Sequence, residues 1–348
     1  MPKRKTGRLT LSVIILGLET SCDETAAAVV ADGTAVLANV IASQIEVHRR
    51  FGGVVPEVAS RRHIETLNPV IAAALAEAGV SFGDLTAVAV TRGPGLLGSL
   101  LTGLMAAKGI AFACNIPLIT VHHVLAHVYA CFLVAPDIAF PVVALVVSGG
   151  HTDLIYGVSH SEFKLIGQTR DDAAGEAFDK VARVMGLGYP GGPAIEQLAQ
   201  KGNPTALHLP RAMLEDKGYD TSFSGLKTAV VNYLYRQEGK SNQVNRADLA
   251  AAFQAAVAEV LVTKAVTAAA DYHAKTLLVA GGVAANGYLR ACFQEEARRR
   301  GLHLVIPPPA LCTDNAAMVA VAGYYRFLRG DFASLSINAA ASLPLASE

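Results

Sequence analysis

His123 and His127 stand four residues apart. On a helix that spacing puts both imidazoles on one face, where a single divalent ion can take both. Ordinary interior histidines share the spacing, so it does not decide by itself. His122 adds a third imidazole at the end of a strand-like run. A zinc protease of the His-Glu-x-x-His type needs a glutamate directly after its first histidine as general base. Here His122 is followed by His123 and His123 by Val124, so that motif is absent. Thr313-Asp314-Asn315 precedes an apolar helical run. Either Asp314 or Thr313 is that helix's N-cap, or Asp314 is a carboxylate ligand for the same ion.

Two strand-to-turn segments have the chemistry of a phosphate cradle. Val146-Val147-Ser148-Gly149-Gly150-His151-Thr152 and Leu278-Val-Ala-Gly-Gly-Val-Ala-Ala-Asn286 each end an apolar run on paired glycines. Glycines admit a phosphate close to the backbone N–H groups, although a plain hairpin turn uses them too. The second opens a helix, whose N-terminus favours an anion. Neither carries the Gly-Lys-Ser/Thr ending of a P-loop or three spaced dinucleotide glycines.

Acids gather in two further places. Glu19-Thr-Ser-Cys-Asp-Glu-Thr25 places three carboxylates and three hydroxyls in one turn, able to orient Mg²⁺ or water or simply to serve turn chemistry. Asp172 to Lys180 carries Glu176 and Asp179 on neighbouring helical positions, with Glu176 and Lys180 at salt-bridge spacing. The Gly-rich Tyr189-Pro-Gly-Gly192-Pro loop that follows favours a ligand wall over a merely solvated face. Arg49-Arg50, Arg61-Arg62-His63 and Arg298–Arg300 are local basic clusters that suit RNA phosphates or solvated helix faces.

Positioning these groups requires alternating strands and helices. Leu11–Leu18 reads as a buried strand with Ala26–Ala31 as its return, and Glu57–Ala78 as a helix ended by Gly79. Leu85–Val90 and Ile116–Val121 read as strands flanking a helix at Leu97–Cys114. The pattern restarts at Pro141–Ser148 with a return at Asp153–Val158. Helices then follow at Asp172–Met185, Asp248–Tyr272 and Ala316–Leu328, with a strand at Thr276–Ala280. Such alternation indicates an α/β protein, and the restart suggests two related lobes. No low-complexity linker parts them, which predicts a cleft between packed halves.

Composition narrows the class. At 348 residues the chain is long enough for two domains of roughly 150 residues. Lys plus Arg and Asp plus Glu are 29 each, with 52% apolar and 17% charged residues, which excludes a disordered chain and binding by bulk positive charge. Mean hydropathy is +0.38, yet no run reaches about 18 uninterrupted apolar residues, so no membrane span is expected. The basic Met1-Pro-Lys-Arg-Lys start runs through an apolar stretch into Glu19 with no small-residue cleavage site, and reads as a tail before a buried strand. Five scattered cysteines without a Cys-x-x-Cys pair predict reduced thiols in a cytoplasmic protein.

Taken together the segments resemble the tRNA threonylcarbamoyladenosine-forming enzyme family (TsaD), once labelled sialoglycoprotein endopeptidases. The resemblance spans nearly the whole chain. It rests on Leu18-Glu-Thr-Ser-Cys-Asp-Glu-Thr25, Val55-Pro-Glu-Val-Ala-Ser-Arg61, Gly93-Pro-Gly-Leu-Leu-Gly-Ser99, His122-His-Val-Leu-Ala-His127 and Val147-Ser-Gly-Gly-His-Thr152. Gly175-Glu-Ala-Phe-Asp-Lys180, Ser222-Phe-Ser-Gly-Leu-Lys227, Ala280-Gly-Gly-Val-Ala-Ala-Asn286 and Thr313-Asp-Asn315 extend it.

The resemblance implies an actin/Hsp70/sugar-kinase (ASKHA) fold, with an N-terminal lobe over 1–136 and a C-terminal lobe over 137–348. A helical insertion is expected at about 160–260, and the last helix is expected to pack back on the first lobe. It implies transfer of a threonylcarbamoyl group from threonylcarbamoyl-AMP to the N6 amine of the adenosine 3′ of the anticodon (position 37), in tRNAs reading ANN codons. By the same likeness His123, His127 and Asp314 hold one divalent metal, Fe²⁺ or Zn²⁺. Val146, Val147, Ser148, Gly149, Gly150, Asp179, Gly192 and Asn286 hold the adenylate or ATP-type ligand, with Mg²⁺ an optional companion. Glu24 and Glu176 are the two choices for the group that takes the amine proton. Expected partners are tRNA, a shorter paralogue (TsaB) and an ATPase (TsaE). A small-molecule kinase of the same fold is the nearest alternative, followed by a metalloprotease and a non-catalytic scaffold.

Overall fold

Two five-stranded sheets repeat one topology in a computed structural model that describes residues 12–237 and 245–345. The basic opening Met1-Pro-Lys-Arg-Lys and the start of the expected Leu11–Leu18 strand lie outside the described residues. The first half runs β1 (Ile14–Glu19), β2 (Glu24–Ala31), β3 (Ala35–Ser43), α1 (Ile45–Arg49), α2 (Pro56–Ala78), β4 (Ala87–Gly93), α3 (Leu97–Cys114), β5 (Leu118–His122) and α4 (His123–Val134). The second opens with β6 (Val142–Val147), β7 (Thr152–Ser159), β8 (Glu162–Gln168), α5 (Ala174–Val184), α6 (Gly191–Ala199) and α7 (Ser224–Gln237). It continues through α8 (Arg246–Asp271), β9 (Thr276–Ala280), α9 (Gly287–Arg300), β10 (His303–Val305), α10 (Pro309–Cys312) and α11 (Ala316–Leu328).

Strand order is β3-β2-β1-β4-β5 in one sheet and β8-β7-β6-β9-β10 in the other. In each, the first three strands pair antiparallel and the fourth and fifth join in parallel. The restart legible at Pro141 is therefore a structural duplication. The central strands β1 and β6 are almost wholly buried, as a strand covered on both faces must be.

The helices that close each half lie between the sheets. One core joins α4 and α11 to Ile15, Ala26 and Ala28 of the first sheet and to Val142, Ala144 and Val146 of the second. The approach is close because the facing strands carry small residues. A Cβ on Gly17 would stand 2.4 Å from the Ala316 carbonyl oxygen, and one on Gly323 would stand 2.4 Å from Ala89 Cβ. The last helix thus packs on the first sheet, and its N-terminus comes to the end of α4. The outer faces carry separate cores, α2 and α3 on the first sheet and α5–α9 on the second.

The region expected as a helical insertion opens with β8, an edge strand whose Glu-Phe-Lys-Leu-Ile-Gly-Gln sequence mixes polar and apolar residues too evenly to stand out. By length and composition α3 and α8 suffice to cross a membrane. However, α8 is mostly buried in the second lobe, and α3 packs one face against the first sheet.

Candidate active site at the ends of the two central helices

β5 runs straight into α4, so the first turn of α4 sits at the carboxyl end of the first sheet, where open α/β folds bind ligands. His122 caps that helix: its Nδ1 accepts from the Val124 N–H at 3.2 Å, and its Nε2 lies 2.9 Å from the Leu343 carbonyl, to which it donates. Both nitrogens are thereby used, which removes His122 from the ligand set. His123 and His127 lie on one face of α4, with ring centroids 4.9 Å apart.

Asp314 reaches them from α11. The helix cap is Asn315, whose side chain accepts from the Met318 N–H at 3.0 Å. This decides between the two uses of the Thr-Asp-Asn motif and leaves Asp314 to face the histidines. Its Oδ1 lies 3.1 Å from His127 Nε2 and 3.7 Å from His123 Nε2. Among the described residues these three form the one His/Cys/Asp/Glu group suited to a metal, with ligand atoms within 4.8 Å of one another.

Two observations fit a metal to this cluster. Neither ring nitrogen of buried His127 makes an aligned hydrogen bond, despite the short Nε2 approach to Asp314. A buried imidazole left so is costly unless an ion takes its lone pair. The other end of His123 is held as ligating histidines usually are. Its Nδ1 lies 3.2 Å from Glu19 Oε2 and 3.1 Å from Ser21 Oγ. Glu19 is fully buried and is fixed in turn by the Thr91 hydroxyl on Oε2 and the Ser21 N–H on Oε1, each at 2.6 Å. Two histidines and one carboxylate with open positions suit iron or zinc.

The electrostatics point the same way. Burial disfavours charge on His123, but Asp314 and Glu19 outweigh it and raise its pKa to about 9. Both carboxyls are lowered: burial opposes this, and the His123 charge prevails. The pocket therefore demands positive charge. Next to it, His151, its ring centroid 6.1 Å from that of His123, is driven down to about 3 by burial and the neighbouring imidazoles.

The residues expected to bind the donor lie on β6 and the turn after it, on α5, at the Gly-rich turn and at the start of α9. Val146 and Val147 are buried in β6 and deliver Ser148, while Gly149 and Gly150 are exposed with open space where side chains would stand. The α5 N-terminus closes on this turn, with the Gly175 N–H donating to the Ser148 carbonyl at 3.2 Å. Asp179 accepts from the Gly191 N–H at 2.7 Å, which ties α5 to the Gly-rich turn and leaves Gly192 facing open space. Asn286 caps α9 through the Leu289 N–H and donates to Gln254 at 2.8 Å. The acid-rich turn of the first lobe faces this wall. Asp179 is raised by burial first and by the charge of Asp23 as well. Arg49 donates to the Tyr189 carbonyl at 3.3 Å and Arg183 to that of Gly52, bridging the lobes.

The two expected proton acceptors differ. Glu24 opens β2 and accepts from Ser43, and burial with the charges of Asp23 and Asp314 pushes it up to about 10. Glu176 lies 2.9 Å from Lys180 Nζ, which Asp172 holds at 2.6 Å. The sequence reading missed Glu19, Ser21 and Thr91 as supports of His123. A carboxylate at the end of a strand that is otherwise wholly apolar was the available signal.

The family model described as TsaD, tRNA N6-adenosine threonylcarbamoyltransferase, matches residues 35–321. The chain belongs to this family. A tRNA N6-adenosine threonylcarbamoyltransferase from Moorella thermoacetica is 60% identical over 331 residues, 95% of this chain and 97% of the relative. Among solved structures, full-length HypF in a phosphate- and nucleotide-bound form aligns at TM-score 0.61 and 14% identity, over 93% of this chain and 47% of HypF. Component A of the (R)-2-hydroxyglutaryl-CoA dehydratase of Acidaminococcus fermentans aligns at TM-score 0.53 and 16% identity, over 90% and 99%. Such distant identities show the shared fold alone, the two-lobed ASKHA architecture. Membership makes the chain a transferase of the tRNA-modifying class.

Proposed function

We propose that the chain moves a threonylcarbamoyl group from threonylcarbamoyl-AMP to the N6 amine of the adenosine 3′ of the anticodon, position 37, in tRNAs reading ANN codons. The observation that carries this reading is the convergence of His123, His127 and Asp314 from the ends of α4 and α11, beside an open Gly-Gly turn. Those three residues would hold one Fe²⁺ or Zn²⁺. Bound there, the ion supplies a Lewis acid for a carbonyl or phosphate oxygen.

The protein's own groups do the rest. The exposed Gly149–Gly150 backbone offers N–H groups to the phosphate of the departing AMP. Asp179, Gly192 and Asn286 form the opposite wall for the nucleoside. Glu19 and Ser21 hold His123 in one orientation. Glu24, pushed up to about 10 by burial and the charges of Asp23 and Asp314, suits donating a hydrogen bond to the adenylate better than taking up a proton. Glu176 remains bound to Lys180.

Partners follow from exposed surface. Leu97, Leu101, Met105 and Phe112 form an exposed stripe along α3, with Phe112 77% exposed. An exposed apolar stripe of this kind supports docking of a partner protein, here proposed to be the shorter paralogue. An ATPase completes the proposed set.

The test is nucleoside analysis of tRNA incubated with the protein, threonylcarbamoyl-AMP and the partner proteins. The parent protein yields threonylcarbamoyladenosine, and His123→Ala and Asp314→Ala lose bound metal and product together. Full activity in a metal-free double variant rejects the metal site.

A further inference from the structure

A second cleft, of about 640 Å³, borders the metal-suited cluster through His151 and reaches Gly150 of the donor turn. Its floor is one face of the β7–β8 hairpin. The register pairs Asp153 with Gln168, Ile155 with Leu165 and Gly157 with Phe163, and directly opposed residues share a face. Thr152 points the other way, its hydroxyl accepting from the Ala174 N–H at 2.9 Å. Asp153 therefore stands on the inter-lobe face, two residues beyond His151, whose ring borders both the cleft and His123.

The floor has a gradient. Asp153 and Gln168 make a polar end nearest His151, while Ile155, Leu165 and Phe163 make an apolar end. A Cβ on Gly157 would stand 2.6 Å from the Phe163 ring, so that ring packs directly against the glycine, with Tyr129 and Phe140 edge-on to it. The roof is the C-terminal tail. It is pinned by Ala340 N–H to Arg92, by Ala341 to Gly95 and by Leu343 to His122, at 3.0, 3.1 and 2.9 Å. Because β8 is an edge strand, the cleft opens at the sheet margin, beside exposed Lys164.

We propose that this cleft receives the unstacked acceptor adenine, with Asp153 taking the hydrogen bond of its exocyclic amine and then the amine proton. The assignment rests on the transferase reading above. A base extruded from an RNA loop needs an apolar platform for its face and a polar group for its edge, and the hairpin offers both in that order. In the step, the amine nitrogen bonds to the carbamoyl carbon while the bond from that carbon to the AMP phosphate oxygen breaks. AMP leaves with the electron pair, and the amine proton passes to the Asp153 carboxylate. Burial alone lifts Asp153 to about 6, so it is mainly ionised at neutral pH yet able to hold a proton.

Two variants test this in the reaction reconstituted with partners. Leu165→Arg fills the apolar end from a position already 36% exposed, and Asp153→Asn keeps shape while removing the base. Leu165→Arg should abolish product and the fluorescence rise of a tRNA carrying a fluorescent purine analogue at the acceptor position. Asp153→Asn should lower turnover about 100-fold, the lower range for a general base. Both should keep metal content and affinity for threonylcarbamoyl-AMP. Parental turnover in both variants overturns the cleft assignment alone. Absence of threonylcarbamoyladenosine with the parent protein overturns the transferase reading itself.

Discussion

Replacing Glu19 by glutamine changes one buried atom and should weaken metal binding by one to two orders of magnitude. In the parent, Oε1 accepts from the Ser21 N–H, while Oε2 accepts from the Thr91 hydroxyl and faces His123 Nδ1. A glutamine has one oxygen and one NH₂ to fill these places. If the oxygen stays on Ser21, the NH₂ meets Thr91 and His123. The hydroxyl can turn to accept, but His123 Nδ1 must then give up its hydrogen. That moves the proton to Nε2, the nitrogen that faces Asp314. If the amide flips, its NH₂ opposes the Ser21 N–H and leaves two buried donors unpaired.

With a metal on Nε2, the first arrangement makes Nδ1 keep its hydrogen and oppose that NH₂. Either arrangement thus leaves a buried donor unpaired in the loaded site, at about 1–3 kcal/mol. At about 1.4 kcal/mol per tenfold, that is about a 5- to 150-fold loss of affinity. Removal of such outer partners from metal-bound histidines costs about 10–100-fold, so two independent routes agree. The assay is competition for Zn²⁺ against a chromophoric chelator, with urea melts of the metal-stripped proteins to separate affinity from stability. Parental zinc affinity in Glu19→Gln would refute the claim that Glu19 sets the His123 tautomer.

Three other perturbations reach different parts of the argument. His160 stacks on Tyr325 at 3.8 Å between ring centroids, and burial with the Arg329 charge lowers it to about 4. The unfolded chain protonates it near about 6.5 and so binds more protons in that window, which means stability falls as pH drops from about 6.5 to about 4. His160→Phe should flatten that limb in urea melts against pH, and an unchanged slope counts against it. Met105→Glu on the exposed α3 stripe should prevent co-elution with the paralogous partner while shifting stability by no more than about 0.5 kcal/mol. Gly17→Val should cost at least about 1–3 kcal/mol in urea melts and lower zinc affinity, because its side chain meets the Ala316 carbonyl two residues past Asp314. Parental melting with parental zinc affinity would show that this packing does not position the ligand.

What could be read in the chain depended on the range of the interaction that made it meaningful. The His123–His127 pair was legible because helical periodicity is local, and α11 was bounded correctly at Ala316–Leu328 for the same reason. Asp314 was ambiguous because a cap and a ligand look alike in sequence. Only the Asn315 side chain on the Met318 N–H separates the two. Glu19 meets His123 across 104 positions, and no periodicity records such a contact. Weakly patterned elements were lost likewise: β8 is an edge strand, and α6 begins inside the Gly-rich turn read as loop. These gaps share a physical cause. The duplicated topology carries the closing helix of each half between the two sheets, and the site forms where the ends of α4 and α11 meet. The three residues proposed to hold the metal therefore come from local motifs that the sequence displays. Their protonation and orientation come from strand β1 and its turn, which the fold alone brings near. Substitutions in that strand should thus alter the metal site as strongly as some changes to the residues around it.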